Sequence, residues 1–187
     1  MKKAKFQNAK QTGKAGFDTL DDTLKTAADT GDGSGADATQ GAATISDAAA
    51  AELVYMIEEE KLAGDIYEAF YELYGLEVFN RIAQSEDRHF ATLVAQAEAL
   101  GIEVDSFVFE PAGEFENPEL QEMYDDLLAA GSQSLQDALE VGKAIEEKDM
   151  EDIAEAAEAV EGTALATVYD NLLTGSSYHL AAFDNLL

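Results

Sequence analysis

The sequence predicts an all-α protein, an antiparallel four-helix bundle made of two helical hairpins that follows a low-complexity tail. Apolar residues recur at intervals of three and four over four long segments, and no strand pattern of comparable length competes with them. Short turns separate the segments within each pair, whereas a longer connection joins the two pairs. A chain of 187 residues with 47% apolar residues is sufficient for one domain with a substantial core.

Residues 1–45 are predicted to form a flexible tail or arm, and residues 46–187 the helical domain. The tail is rich in Ala, Gly, Asp, Thr and Gln and has little apolar surface to bury. Within it, Phe17, Leu20 and Leu24 have the spacing of a short amphipathic helix, either transient or docked on a partner subunit. We therefore expect a homo-oligomer, with the arm as one candidate contact between subunits.

The first hairpin is predicted from two long helices that end at glycines. Ser46 or Asp47 is placed to cap the first helix, and Gly75 is placed to end it. The second helix is predicted over about residues 77–100, with Gly101 directly after it. Because the turn between them is short, the two helices should run antiparallel.

A long connection over residues 101–116 leads to one extra, short helix. Asn117 can cap this helix and Pro118 can take its first position, while Gly131 is placed to end it. The crossover between the hairpins is therefore predicted to carry a helix of its own.

The second hairpin is predicted from two further long helices that meet at Gly162. One helix extends over about residues 134–160, and the other begins near Thr163 and continues to Phe183. The four long helices together complete the predicted bundle.

The residue inventory excludes several classes of chemistry. The chain has no cysteine, so disulfides, zinc–thiolate sites, iron–sulfur clusters and thiol catalysis are ruled out. No apolar run is long enough for a membrane span, and the basic start is not followed by the apolar segment of a signal peptide. We expect a cytoplasmic protein by default, or an extracellular one if the chain is a processed form.

The net charge of −28 is distributed unevenly along the chain. Five lysines and no acid lie in the first fourteen residues, so the remaining six basic residues face all 39 acidic ones. This negative field would repel a phosphate backbone, and nucleic acid is not an expected partner. Three interpretations remain: a halophilic solvation surface, favoured by scarce lysine and abundant Asp and Glu; a field that attracts cations; and simple solubility.

Carboxylate and histidine side chains are predicted to meet near the middle of the bundle. With a rise of about 1.5 Å per residue, counting from the turns places acidic residues and histidines of each hairpin at similar heights. The apolar periods also place these side chains on the core faces. The six candidate metal ligands are Glu60, Glu86, His89, Glu146, Asp149 and His179.

Metal binding explains this pattern because several unpaired carboxylates cannot be buried together without positive charge. His and carboxylate ligands suit iron or manganese. The competing interpretations are a hydrogen-bonded core histidine and, for the glutamates of runs 58–60 and 146–147, a solvated charge run. Only Glu60 and Glu146 of those runs are expected to face the core. Tyr67, Tyr169 and Tyr178 are expected to pack with their hydroxyls near the site.

Two sequence segments carry a resemblance to a known family. Residues 60–67 read Glu-Lys-Leu-Ala-Gly-Asp-Ile-Tyr and resemble the first-helix pattern Glu-x-x-Ala-x-x-x-Tyr of rubrerythrin-like proteins. Residues 79–89, which contain the Glu-x-x-His spacing, are similar to the second-helix pattern. Residues 145–149 and 173–183 resemble one branch of this superfamily, the domain-of-unknown-function family 2202. The resemblance covers about residues 50–185.

The resemblance implies a ferritin-like four-helix bundle and a di-iron or di-manganese carboxylate site. One departure matters, because Ser176 occupies the Glu position of the Glu-x-x-His pair that ends at His179. We hypothesise that Asp149 supplies the missing carboxylate from the facing helix; otherwise the site would be mononuclear or empty.

Two functions follow from these expectations. In the first, the protein reacts ferrous iron with O2 or peroxide as a ferroxidase or peroxidase-type oxidoreductase. In the second, it is a non-enzymatic structural or assembly protein whose metal site is stabilising or degenerate.

Overall fold

The structure of the protein, a computed structural model, describes residues 45–104 and 111–187. Residues 1–44 of the predicted tail, with the predicted helix at Phe17, Leu20 and Leu24, lie outside the described residues. The described part is entirely helical, with five helices and no strand, and confirms the all-α prediction. The helices are α1 Asp47–Tyr74, α2 Glu77–Leu100, α3 Pro118–Gly131, α4 Leu135–Ala159 and α5 Ala164–Asp184.

Local capping interactions explain where the helices begin and end. The Oγ atom of Ser46 accepts a hydrogen bond from the backbone N–H of Ala49 at 3.1 Å, so Ser46 and not Asp47 caps α1. Gly75 has a left-handed φ of 65°, which suits a residue without Cβ and ends the helix. The side chain of Asn117 caps α3 in the same way as Ser46 caps α1. These predicted helix ends are confirmed.

The long helices pack as an all-helical bundle. Helix α1 lies along α2, and α4 lies along α5, as predicted for two hairpins. Further contacts join α1 to α4 and α2 to α5, while α3 packs against α1 and α4. No helix in the described ranges is sufficiently long and apolar to cross a membrane.

The buried apolar residues form two clusters that leave a polar belt between them. On α1, Ile57 belongs to one cluster and Leu62 to the other. On α4, Ile153 belongs to the same cluster as Ile57, and Ile145 belongs to the same cluster as Leu62. On each of the helices α1, α2, α4 and α5, buried polar side chains lie between the residues of one apolar cluster and those of the other. The four helices therefore carry their buried polar residues at one level of the bundle.

Candidate metal centre

The first half of the polar belt is built within the α1–α2 hairpin. The Nδ1 atom of His89 lies 2.7 Å from Oε2 of Glu86 and 3.3 Å from Oε2 of Glu60. Glu86 and His89 face the same side because residues three apart on a helix are neighbours. Glu60 and Glu86 are fully buried, and the His89 side chain is 12% exposed.

The second half of the belt joins α2 to the other hairpin. The Nδ1 atom of His179 lies 2.8 Å from Oε1 of Glu86 and 3.4 Å from Oε2 of Glu146. Glu86 therefore presents one oxygen to each histidine, and the two imidazole rings stack with their centroids 5.6 Å apart. In each group of three residues, one potential ligand atom per residue lies within 4.8 Å of the others. Both groups have the proximity that a shared metal ion requires.

Several of these close approaches lack the alignment of a hydrogen bond. Both carboxylate oxygens of Glu86, Oε1 of Glu60 and Nδ1 of His179 are buried without an aligned partner in the described part of the structure. Buried polar atoms almost always have partners, so such a group of unpartnered atoms needs an explanation. Carboxylate oxygens and imidazole nitrogens that lie this close together without aligned partners suit a cation between them.

Asp149 lies beside the position where the sequence lacks a glutamate. The hydroxyl of Ser176 donates a hydrogen bond to Oδ2 of Asp149 at 2.6 Å, and both residues are buried. The other oxygen of Asp149, Oδ1, is buried without a partner. The facing helix therefore supplies a carboxylate next to residue 176.

Burial and mutual repulsion dominate the electrostatics of the carboxyl groups. Burial raises the pKa of Glu60 well above its usual value, and the nearby Asp149 and Glu86 raise it further. Burial also raises the pKa of Asp149. Glu86 behaves differently: burial acts to raise its pKa, but the facing imidazoles of His179 and His89 outweigh burial and lower the pKa to about 2.

The same carboxylates raise the proton affinity of the two imidazoles. Burial acts to lower the pKa of His179, but Glu146 and Glu86 outweigh it and raise the pKa to about 9. The pKa of His89 is also raised, because Glu86 outweighs the effect of burial. In the absence of a cation, protons on the imidazoles provide part of the missing positive charge.

Lysine and arginine side chains of the described residues do not neutralise this centre. Among the ion pairs of residues 45–104 and 111–187, none joins a lysine or arginine to the central carboxylates. Lys148 follows Glu146 closely in the sequence but contacts Glu59, at 2.8 Å, and Asp152. The centre thus holds four buried acids with two imidazoles as their only basic neighbours in the described ranges.

A buried tyrosine holds one of the central carboxylates. The hydroxyl of Tyr67 donates to Oε1 of Glu146 at 2.6 Å, which leaves Oε2 facing His179. The expectation that Tyr67 brings a hydroxyl to the site is confirmed. The expectation for Tyr178 is wrong, because its side chain is 72% exposed. Tyr169 is buried, and its hydroxyl has no hydrogen-bond partner in the described part.

A second expectation, about which glutamates of α1 are buried, is also wrong. Glu58, Glu59 and Glu60 are all buried, whereas only Glu60 was expected to face the core. Glu58 accepts hydrogen bonds from the backbone N–H groups of Glu116 and Asn117 at 2.9 and 3.0 Å, and Glu59 accepts one from Lys148. All three are buried because α2, α3 and α4 cover different faces of α1.

The corresponding choice on α4 was correct. Glu146 is buried, whereas the side chain of Glu147 is 56% exposed. The apolar period of α4 was a sufficient guide here because Glu147 lies on a face that is exposed to solvent in the described part of the structure.

One positioning residue was missed in the sequence. A Cβ atom added to Gly175 on α5 would lie 2.7 Å from Nε2 of His89, so this glycine leaves room for the imidazole ring. A glycine inside a helix is unfavourable and therefore signals a close approach.

The fold and the central cluster define a class of protein: an all-helical bundle with buried carboxylates and histidines at its centre. Residues 49–187 match the family described as "Uncharacterized protein domain (DUF2202)", and the chain belongs to this family. Membership of domain family 2202, expected from the sequence, is thereby confirmed.

Two comparisons point to one archaeal relative. The chain is 36% identical over 135 residues to "Uncharacterized protein MJ0754" from Methanocaldococcus jannaschii, over 72% of each protein. It is also similar to the crystal structure of hypothetical protein MJ0754 from Methanococcus jannaschii, with a TM-score of 0.73 and 35% identity. That similarity covers 76% of this chain and 81% of the other.

Proposed function

We propose that the protein is a ferritin-like, di-metal carboxylate protein that binds iron, or alternatively manganese, and reacts it with O2 or peroxide. The observation that carries this proposal is the shared carboxylate of Glu86, which presents one oxygen to each histidine while both oxygens lack aligned hydrogen bonds. In the proposed centre Glu86 would be a ligand of both ions. Glu60 and His89 complete one half-site, and Glu146 and His179 complete the other.

Charge balance supports two ions in preference to one. The centre contains four buried carboxyl groups, and an uncompensated buried charge costs several kcal/mol. Two divalent cations would balance four carboxylates while the imidazoles remain neutral ligands. The carboxylates are Glu60, Glu86, Glu146 and Asp149.

The ligand types support iron or manganese over softer metals. Oxygen and imidazole nitrogen are the available donors, and no thiolate exists in the chain. Two bound ferrous ions would supply the two electrons that reduce O2 to peroxide or peroxide to water. The protein's own contribution is to fix the ligands, as Tyr67 does for Glu146, and to surround them with apolar side chains.

Asp149 is proposed to replace the carboxylate that Ser176 lacks. Its Oδ2 atom is held by the Ser176 hydroxyl, and its unpartnered Oδ1 atom remains available to an ion. Two metal ions per chain in the wild type and still two in Asp149→Ala would contradict this assignment.

Elemental analysis of protein purified without chelators tests the metal centre. We expect about two iron or manganese ions per chain in the wild type and a clear loss in His89→Ala. Less than about half an ion per wild-type chain would refute the di-metal proposal. Anaerobic loading with Fe2+ followed by an O2 electrode trace then tests turnover, with Glu147→Gln as a control because Glu147 is exposed.

A structural metal site is the alternative function. It is favoured by the depth of the centre, since the carboxylates are buried and the imidazole side chains are only 10–12% exposed. A site of this kind would give no O2 consumption but a large decrease in melting temperature on chelation. The O2 trace separates the two functions, because both predict a lower melting temperature on chelation.

A further inference from the structure

A cleft between α1 and α2 reaches the metal centre from the protein surface. It has a volume of about 180 Å³. Glu60 and Glu86 line its inner part, and both are buried and have carboxylate oxygens without aligned partners. Asp65 and Asp87 line its outer part, where Asp87 is exposed to solvent. The cleft therefore connects solvent to two of the proposed ligands.

Gly64 keeps this cleft open. It lies in the interior of the 28-residue helix α1, where glycine is unfavourable and no turn requires it. A Cβ atom at this position would lie 3.6 Å from Cβ of Glu86, which is ordinary van der Waals contact. A methyl group would thus fit, whereas a longer side chain would occupy the space between the helices.

The charge of the cleft selects for cations. Four carboxyl groups line it, and the only basic side chain among its described lining residues is Lys61. The ammonium group of Lys61 is held by Asp65 at 2.7 Å and by the backbone carbonyls of Pro111 and Glu114 at 3.0 and 3.2 Å. Lys61 therefore neutralises only part of the negative charge.

A second cavity near the centre has a different character. It has a volume of about 300 Å³ and lies between α1, α3 and α4. Apolar side chains line most of it, and its two charged residues, Glu59 and Lys148, are paired with each other. This cavity offers a cation no net attraction, so the acidic cleft is the better route for an ion.

We propose that the cleft between α1 and α2 is the path by which a divalent cation enters the metal centre, with Gly64 setting its width and Asp87 attracting the ion at its mouth. This inference rests on the proposed function, because it requires that the centre bind metal. An incoming cation would exchange its water for Glu60 and Glu86 at the inner end of the path. We therefore expect the rate of metal loading to depend on Gly64 and Asp87, and the final metal content to depend on the proposed ligands.

The width of the path is tested by enlarging residue 64. Metal-free full-length protein is mixed with Co2+ in an anaerobic stopped-flow instrument, and the visible absorbance of bound cobalt is followed. We expect Gly64→Leu to slow loading about tenfold or more with the same final cobalt content, and Gly64→Ala to have a smaller effect. Equal rates for the wild type and Gly64→Leu, at equal final content, would overturn the assignment of the cleft.

The charge of the path is tested by Asp87→Asn. Asp87 is exposed, so this change leaves the core intact, and Asp170→Asn on α5 is the matched control. We expect Asp87→Asn to slow loading about two- to fivefold at low ionic strength and to match the wild type near about 1 M salt, where charges are screened. Asp170→Asn should load at the wild-type rate.

The outcomes distinguish failure of the path from failure of the metal centre. A wild type that binds no cobalt, iron or manganese overturns the proposed function and the path with it. A wild type that binds about two ions, with unchanged loading in Asp87→Asn at low salt, overturns the path alone. If Gly64→Leu does not fold, Asp87→Asn and Gly64→Ala still decide the question.

Discussion

Replacing Glu60 with glutamine should lower the stability of the metal-loaded protein but not that of the metal-free protein. Glu60 is buried, and burial together with Asp149 and Glu86 raises the pKa of its carboxyl, so the charged form is unfavourable without a cation. Glutamine has nearly the same shape and no charge, and it should stabilise the metal-free protein or leave it unchanged. The loaded protein should lose stability because an anionic ligand is lost.

The size of the effect follows from the structure of the half-site. Glu60 is one of three protein ligands proposed for the first ion, and its loss is expected to weaken binding about 100-fold, or about 2.7 kcal/mol. With metal in large excess, the weaker binding lowers the free energy of unfolding of the loaded protein by the same amount. For a domain of this size, that corresponds to about 10 °C less metal-induced increase in melting temperature.

Thermal unfolding followed by circular dichroism measures this effect, in EDTA and in excess Mn2+. Glu59→Gln is the matched control, because Glu59 is adjacent and equally buried but is paired with Lys148 at 2.8 Å. Glu59→Gln should lower the melting temperature in both conditions and preserve the increase on adding metal.

The reasoning would be refuted by either of two results. One is a Glu60→Gln variant that keeps the full metal-induced increase in melting temperature. The other is a Glu59→Gln variant that loses it, since the ligand would then be assigned to the wrong member of the glutamate run.

Three further predictions concern the same centre. Tyr67→Phe removes a buried hydrogen bond to the proposed ligand Glu146 and should weaken metal binding about 10- to 100-fold. Competition with a chelating dye measures this affinity, and an unchanged affinity would contradict the prediction. Gly175→Ala should displace the His89 ring and reduce metal content to about one ion per chain, whereas two ions would show that the ring adapts. In EDTA, the melting temperature should fall from about pH 5 to about pH 9, because Glu60 and both imidazoles have raised pKa values and bind protons more tightly in the folded state. Glu86, with a pKa lowered to about 2, acts oppositely only below its usual value of 4.5. A melting temperature that rises over this range would contradict the prediction.

The helix boundaries were predictable because they depend on local chemistry. Ser46 and Asn117 cap with their own side chains, and Gly75 adopts a left-handed φ, so each signal lies within a few residues of the helix end. The level of the polar belt was predictable for a related reason. The rise per residue is constant, and short turns fix the alignment of the helices in each hairpin.

The burial of Glu58 and Glu59 was not predictable from the apolar period. A period identifies one buried stripe, but α1 is covered on several faces by α2, α3 and α4. The partners of the two residues are also distant in the sequence: the backbone of residues 116–117 for Glu58, and Lys148 for Glu59. The packing of α4 against α1 brings Lys148 to the acidic run, and the segment that leads into α3 brings the backbone of residues 116–117 to it.

Individual contacts of the centre were likewise beyond the sequence. The spacing of Glu86 and His89 places both on one face, but it does not show that the two oxygens of Glu86 face different histidines. That arrangement depends on how closely α5 approaches α2, which is set in part by the absence of a side chain at Gly175. The exposure of Tyr178 is a further tertiary detail, since it lies beside His179 but points to another side of α5.

The two proposed half-sites differ in what the fold must do to assemble them. Glu60, Glu86 and His89 all belong to the α1–α2 hairpin, whose helices a short turn already aligns. The other half-site needs Glu86 from that hairpin together with Glu146 and His179 from α4 and α5. In the proposed di-metal centre, the first ion would therefore be held by one hairpin, whereas the second would stabilise the contact between the hairpins. Because α5 has a serine where a carboxylate would complete the second set, the two acids that the second hairpin offers, Glu146 and Asp149, both come from a single turn of α4. The binding of a second ion would thus depend on the position of α4 against the first hairpin.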